Sequence, residues 1–260
     1  MRIVMLIITL LFSYLSTFAQ TSAEPKTIDL TKWKMVWNDE FDYPDKRLEK
    51  NWEVQNGPSG HILCSRWREN AVVHDGILEL IAKKEKRGGQ DWTAASIWTK
   101  KKFKYGYFEC RYKYAGAETT NNSFWLMTRG AEPAVGKRFE IDINEGHYPK
   151  IINTNIHNHS DHTVVNGKKR SIRNPKHFNL ENDYDLDFSE EFHTYGLEWN
   201  ENEMIFYFDG KEIRRVKNEF CYSETPIWLS LALVKWYGTL TDEVDGKSMK
   251  VDYVRYYLKK

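Results

Sequence analysis

Residues 139–145, Phe-Glu-Ile-Asp-Ile-Asn-Glu, restrict the fold of this 260-residue chain more than any other stretch. Apolar and acidic side chains alternate along it, and in a β-strand residues two apart point to the same side of the sheet. Glu140 and Asp142 then share one face, while Phe139, Ile141 and Ile143 share the other, which has the composition of a core. Glu145 falls three positions after Asp142 and would sit on the wrong face of a regular strand. A β-bulge around Ile143-Asn144 absorbs one residue and returns Glu145 to the acidic face. The stretch therefore predicts a strand with one buried face and three acids in a row on the other.

Two carboxyl groups held roughly 5–5.5 Å apart, one ionised and one protonated, can divide the work of nucleophile and general acid/base in cleaving a glycosidic bond. Asp142, between Glu140 and Glu145, adds like-charge repulsion and a hydrogen-bond partner, which together drive neighbouring carboxyl pKa values apart. The competing reading of any E-x-D-x-x-E is a solvent-facing acidic strand edge.

Other segments decide between these readings. Trp37-Asn38-Asp39-Glu40-Phe41, Asp75-Gly76-Ile77-Leu78-Glu79-Leu80, Phe103 to Glu109, Ser123-Phe124-Trp125-Leu126-Met127, Phe192 to Trp199, Phe206 to Gly210 and Val251 to Tyr257 follow one another along the chain. In content and order they resemble glycoside hydrolase family 16, which includes laminarinases, lichenases, agarases, porphyranases and κ-carrageenases. The resemblance covers nearly all of the chain past its N-terminus. It implies an endo-acting, retaining enzyme with Glu140 as nucleophile, Glu145 as acid/base and Asp142 in support. It also sharpens the fold expected from short aromatic and β-branched runs separated by Gly, Asn, Asp and Pro turns. That pattern reads as an all-β, antiparallel β-sandwich, and the family as a concanavalin-like jelly roll with an open concave cleft.

The N-terminus has one early charge, Arg2, then an apolar run from Ile3 to about Leu15 and small residues at Thr17 and Ala19. This predicts a secretory signal over residues 1–19 and export of the protein, secreted or periplasmic. The run is short for a membrane span. Residues 20–30 read as a flexible lead-in and 31–260 as a single catalytic domain. Without Arg2 the 38 basic residues become 37 against 37 acidic ones, so neither a nucleic-acid nor a membrane role is expected. Cys64, Cys110 and Cys221 are an odd number in an exported chain, and buried free thiols are the expectation, with one disulfide as the alternative.

Tryptophan and histidine supply the binding candidates. Indole rings pack against the apolar faces of sugars, and ten tryptophans are available. Trp125, just upstream of the acidic strand, is the first candidate platform. Trp67, Trp98 and Trp236 follow, each equally suited to a core, whereas Trp37 and Trp199 read as packing. Asn121, Asn122 and Ser123 precede Trp125, and Asn122 is the candidate for a sugar hydroxyl. His157 and His159 alternate onto one face of the next strand. The resemblance implies a sugar-contacting histidine there, and His157 matches best; structural and metal-binding histidines are the alternatives.

Arg66, Arg68, Arg129 and Arg138 flank these motifs, and guanidinium groups bind sulfate or carboxylate bidentately. Arg66 and Arg129 are the candidates for a cleft contact. Lys168-Lys169-Arg170 with Arg173 and Lys176 reads as a solvated basic loop, partly neutralised by Glu181, Asp183, Asp185 and Asp187. The expected substrate is a polysaccharide, most specifically an agar- or porphyran-type galactan, sulfated or not. A β-1,3-glucan and a carrageenan-type polymer are the alternatives, as are a transglycosylase and a non-catalytic lectin. No cofactor is required, family members sometimes hold a structural calcium away from the cleft, and a monomer is expected.

Overall fold

The computed structural model describes residues 25–171 and 179–260. The expected signal segment, residues 20–24 of the lead-in, Arg173 and Lys176 lie outside the described residues. Along the chain the strands are β1 (Trp33–Asp39), β2 (Trp52–Val54), β3 (Ser65–Arg66), β4 (Ala71–His74), β5 (Ile77–Ile81), β6 (Thr93–Ala94) and β7 (Ser96–Thr99). Four long strands follow: β8 (Gly106–Lys113), β9 (Thr120–Met127), β10 (Phe139–His147) and β11 (Ile151–Asn158). The rest are β12 (His162–Val165), β13 (Lys168–Ser171), β14 (Leu180–Asp183), β15 (His193–Trp199), β16 (Glu203–Phe208), β17 (Lys211–Lys217), β18 (Ile227–Leu233) and β19 (Ser248–Lys259).

These form the antiparallel β-sandwich that the sequence predicts. A seven-stranded sheet in the order β14-β11-β10-β9-β18-β7-β2 bears the acids. An eight-stranded sheet in the order β17-β16-β15-β8-β19-β5-β4, with β1 beside β19, backs it. The alternation seen in sequence builds the interface between them. Phe124 and Leu126 of β9, Phe139 and Ile141 of β10 and Leu229 and Leu231 of β18 are fully buried, as are Phe108, Cys110 and Tyr112 of β8 and Val251 and Val254 of β19. Each such side chain contributes about 1.5–3 kcal/mol by leaving water.

Turn chemistry agrees. Asp209 and Gly210 join β16 to β17 with φ of 46° and 74°, the left-handed pair that a two-residue hairpin turn requires. All three cysteines are free and buried, as expected. Among the described residues no helix is long and apolar enough to cross a membrane.

Candidate active site

The bulge falls where the alternation breaks. Against β9 the pairing skips from Asp142↔Trp125 to Asn144↔Phe124, and against β11 from Asp142↔Asn155 to Glu145↔Asn153. Ile143 and Asn144 are both buried, so the extra residue is absorbed on the core side. Asn144 donates from Nδ2 to the hydroxyls of Tyr112 and Tyr114, each at 2.7 Å, which ties the bulge to the backing sheet. Gly146 has no room for a side chain, because the Tyr114 ring occupies the position a Cβ would take. Glu140, Asp142 and Glu145 consequently line one cavity of about 380 Å³ on the opposite face.

The three acids differ in acidity. Burial works to raise the Glu140 pKa, but a hydrogen bond from His159, the charges of His157 and His159 and a hydrogen bond from Asp142 hold it below the ordinary 4.5. Asp142 is pushed well above its ordinary value by burial, then by the charges of Glu140 and Glu145, with Arg214 opposing. Arg214 reaches across from β17 and donates to the Thr154 carbonyl at 2.7 Å, behind the acidic strand. Glu145 is raised by burial and by the Glu140 charge, against a hydrogen bond from Asn121 and the charge of His157. The row thus sets a Glu140 carboxyl that gives up its proton more readily than usual beside Asp142 and Glu145 carboxyls that keep theirs longer. That is the division of labour that retaining glycoside cleavage needs.

β11 supplies the histidines. His157 sits opposite Glu140, with Nε2 3.1 Å from Asp142 Oδ2. His159 Nε2 lies 2.7 Å from Glu140 Oε2. Sequence reasoning placed both on this face but selected His157 alone. Glu140, Asp142 and His157 each offer a ligand atom within 4.8 Å of the others. Within it Asp142 hydrogen-bonds to Glu140, and His157 stands beside Asp142.

On the other side, Trp125 of β9, Trp228 of β18 and Trp98 of β7 sit opposite one another in register, with ring centroids 4.7 and 4.6 Å apart. Trp125 and Trp98 therefore do line the cleft, together with Trp228, which sequence reasoning missed. The Arg129 guanidinium covers Trp98 at 4.0 Å. Arg66 reaches the cleft floor, but only 6% of it is exposed, and its Nη1 donates to the carbonyls of Ala95 and Leu231. Trp236 is 56% exposed on the rim of the central cavity.

Two candidates are corrected. Asn122 is fully buried and faces the core, where it donates to the Gly146 carbonyl and accepts from the Ala115 amide. Its neighbour Asn121 faces the cleft instead and donates to Glu145 Oε1 at 2.9 Å, with Ser123 donating to Asn121 in turn. Trp67 lies outside the cleft, donating to Ser65 Oγ beneath the Arg87 guanidinium. Arg68 likewise pairs with Asp45 and Glu49 away from it. Lys168, Lys169 and Arg170 belong to the β12–β13 hairpin.

Comparison with known proteins bears on this geometry. The family model for Glycosyl hydrolases family 16 matches residues 61–255. A β-glucanase of Rhodothermus marinus is 29% identical over 204 residues, which cover 72% of this chain and 66% of that protein. The laminarinase catalytic domain of Thermotoga maritima MSB8 matches with a TM-score of 0.73 at 25% identity, covering 88% of this chain and 99% of that domain. A κ-carrageenase of Zobellia galactanivorans matches with a TM-score of 0.71 at 27% identity, covering 92% of this chain and all of that one.

Proposed function

Because the chain belongs to glycoside hydrolase family 16, we propose that it is an endo-acting, retaining hydrolase of a β-linked polysaccharide, and that this polysaccharide is an agar- or porphyran-type galactan. The observation behind the mechanism is the bulge that brings Glu140, Asp142 and Glu145 into one cavity, where their surroundings shift the two glutamate pKa values in opposite directions. Ionised Glu140 attacks the anomeric carbon and forms a glycosyl-enzyme ester as the glycosidic bond breaks. Glu145 gives its proton to the departing oxygen, then takes one from the water that hydrolyses the ester. Asp142 donates a hydrogen bond to Glu140 and moderates both partners.

The charge of the cleft supports the galactan reading. Among the described residues no carboxylate forms an ion pair with Arg129, which covers Trp98 in the cavity that also holds Trp125 and Trp228. Guanidinium groups beside indole faces suit a sugar that presents an apolar ring and an anionic substituent together. A neutral β-1,3-glucan is the second reading, favoured by the β-glucanase at 29% identity.

The test is reducing-end release and product sizing on agarose, porphyran, κ-carrageenan, laminarin and mixed-linkage β-glucan, with Glu140→Gln run beside wild type. Discrete oligosaccharides from agarose or porphyran, absent in the variant, are expected. Release from laminarin alone would replace the galactan with the glucan. Silence on every polymer together with gel retardation would replace the hydrolase with a lectin.

A further inference from the structure

We propose that His159 is the positioning residue of the nucleophile: it holds one carboxylate oxygen of Glu140 so that the other is presented to the anomeric carbon. The inference rests on Glu140 being the nucleophile. Its first support is the short contact itself, 2.7 Å from His159 Nε2 to Glu140 Oε2.

The second support is how the imidazole is held. His159 lies one residue past the end of β11 and extends its pairing with β10 by one further bond. Its main-chain N–H donates to the Arg138 carbonyl at 2.7 Å, and Arg138 Nη2 donates back to the His159 carbonyl at 3.1 Å. The Arg138 amide donates to Ser160 Oγ at 2.7 Å, Ser160 Oγ donates to Glu132, and Glu132 pairs with Arg138 at 3.2 Å. Lys137 pairs with Asp161 at 2.7 Å, and Asn158 closes the turn by accepting from the amides of Ser160 and Asp161.

Arg138 stands two residues before Glu140. One staple therefore fixes both ends of the His159–Glu140 contact, the imidazole through residues 158–161 and the carboxylate through the start of β10. Holding a reacting group in an attack-ready orientation removes freedom that the transition state would otherwise lose.

During the reaction the unheld oxygen forms the bond to the anomeric carbon, the glycosidic C–O bond breaks, and Glu145 protonates the departing oxygen. The oxygen held by His159 becomes the carbonyl oxygen of the ester. When water cleaves the ester, the electron pair returns to the Glu140 carboxylate and the same N–H meets the returning charge. The groups facing His159 are Glu140 on β10, His157 on β11 with its ring parallel at 5.9 Å, and Arg129, Arg138 and His162 around an adjoining cavity of about 430 Å³.

The experiment measures kcat and KM of His159→Ala, His159→Gln and Lys137→Ala on whichever polymer wild type cleaves, so a failed galactan reading leaves it intact. His159→Ala should lower kcat by roughly 10- to 100-fold with little change in KM. His159→Gln, whose amide can donate to the same oxygen, should recover much of that loss. Lys137→Ala, which loosens the staple from outside the cleft, should lower kcat by a smaller factor. In parallel, the 15N signal of His159 Nε2 should shift in Glu140→Ala, a readout that needs no substrate and no folding of the histidine variants. Unchanged kcat in His159→Ala, a raised KM with kcat retained, or an unmoved Nε2 signal would each overturn the assignment.

Discussion

On one side of β10 the cleft face presents three indoles in register; on the other it presents two imidazoles and the amides of Asn153 and Asn155. The indole flank orders a ligand by dispersion and dehydration, forces that do not care about protonation. The imidazole flank acts on charge. His157 and His159 stand nearest to Glu140 and hold its pKa down, whereas burial and the Glu140 charge raise that of Glu145 against the hydrogen bond from Asn121. A difference between the two flanks, read across the sheet, has become a difference in acidity along the strand that separates them.

The largest test of that arrangement lies on the dividing strand. Glu140→Gln and Glu145→Gln should each reduce turnover by about 10⁴-fold or more, with circular dichroism and melting temperature close to wild type. Loss of fold would return the acids to a structural role. In wild type, kcat/KM should follow a bell in pH. The acid limb should fall below the ordinary glutamate value of 4.5, where Glu140 gains its proton, and the alkaline limb above 4.5, where Glu145 loses its own. An acid limb at or above 4.5 would mean that Glu140 is not held below its ordinary value.

Acid should also act on stability through the end of the dividing strand. Burial holds His147 down to about 4 from 6.5, against a hydrogen bond to the Thr120 carbonyl, and its ring stacks at 3.9 Å on Tyr237, which bonds to Glu181 of β14. The unfolded chain binds the proton more readily, so stability is full above pH 6.5 and is lost as pH falls towards 4. The loss between pH 7 and pH 5 is roughly 2 kcal/mol. His147→Phe keeps the stack and removes the titration, so its melting temperature should fall several degrees less over that interval than wild type. Equal falls would mean that His147 is not the acid-sensitive group.

The smallest effect sharpens the comparison most. Trp125→Ala should cost about 1–2 kcal/mol of binding, seen as a KM raised roughly 5- to 30-fold. His157→Ala should instead lower kcat and displace the acid limb of the pH profile. If both variants changed only KM, the division of labour between the flanks would fail.

Much of this was legible because period two is visible wherever one face of a strand is wet. Phe139–Glu145 reveals its parity, and with it the acids and the bulge. The same rule, counted back from Trp125, places Ser123 and Asn121 on the cleft face and buries Asn122; the signal for Asn121 was present. Trp228 was hidden for a physical reason: all of Ile227–Leu233 is buried, so alternation vanishes from the composition. Alternation put His159 on the cleft face beside His157, but its contact with Glu140 depends on a staple between residues 132–138 and 158–161, and such long-range contacts leave no period in the chain. Arg66 was a candidate for a contact in the cleft, and it reaches the floor with its guanidinium held by backbone carbonyls.

The bulge has a consequence for how such a chain can change length. Ile143 and Asn144 occupy the space of one residue against both neighbours. Deleting Asn144 would restore plain alternation and leave all three acids on the same face, with neither adjoining strand obliged to slip. The penalty would fall inside the sandwich, where the hydroxyls of Tyr112 and Tyr114 would both lose the amide that joins them. The acidic row can therefore gain or lose a residue as a unit with its tyrosines, so a shortened strand would be expected to travel with replacements at positions 112 and 114.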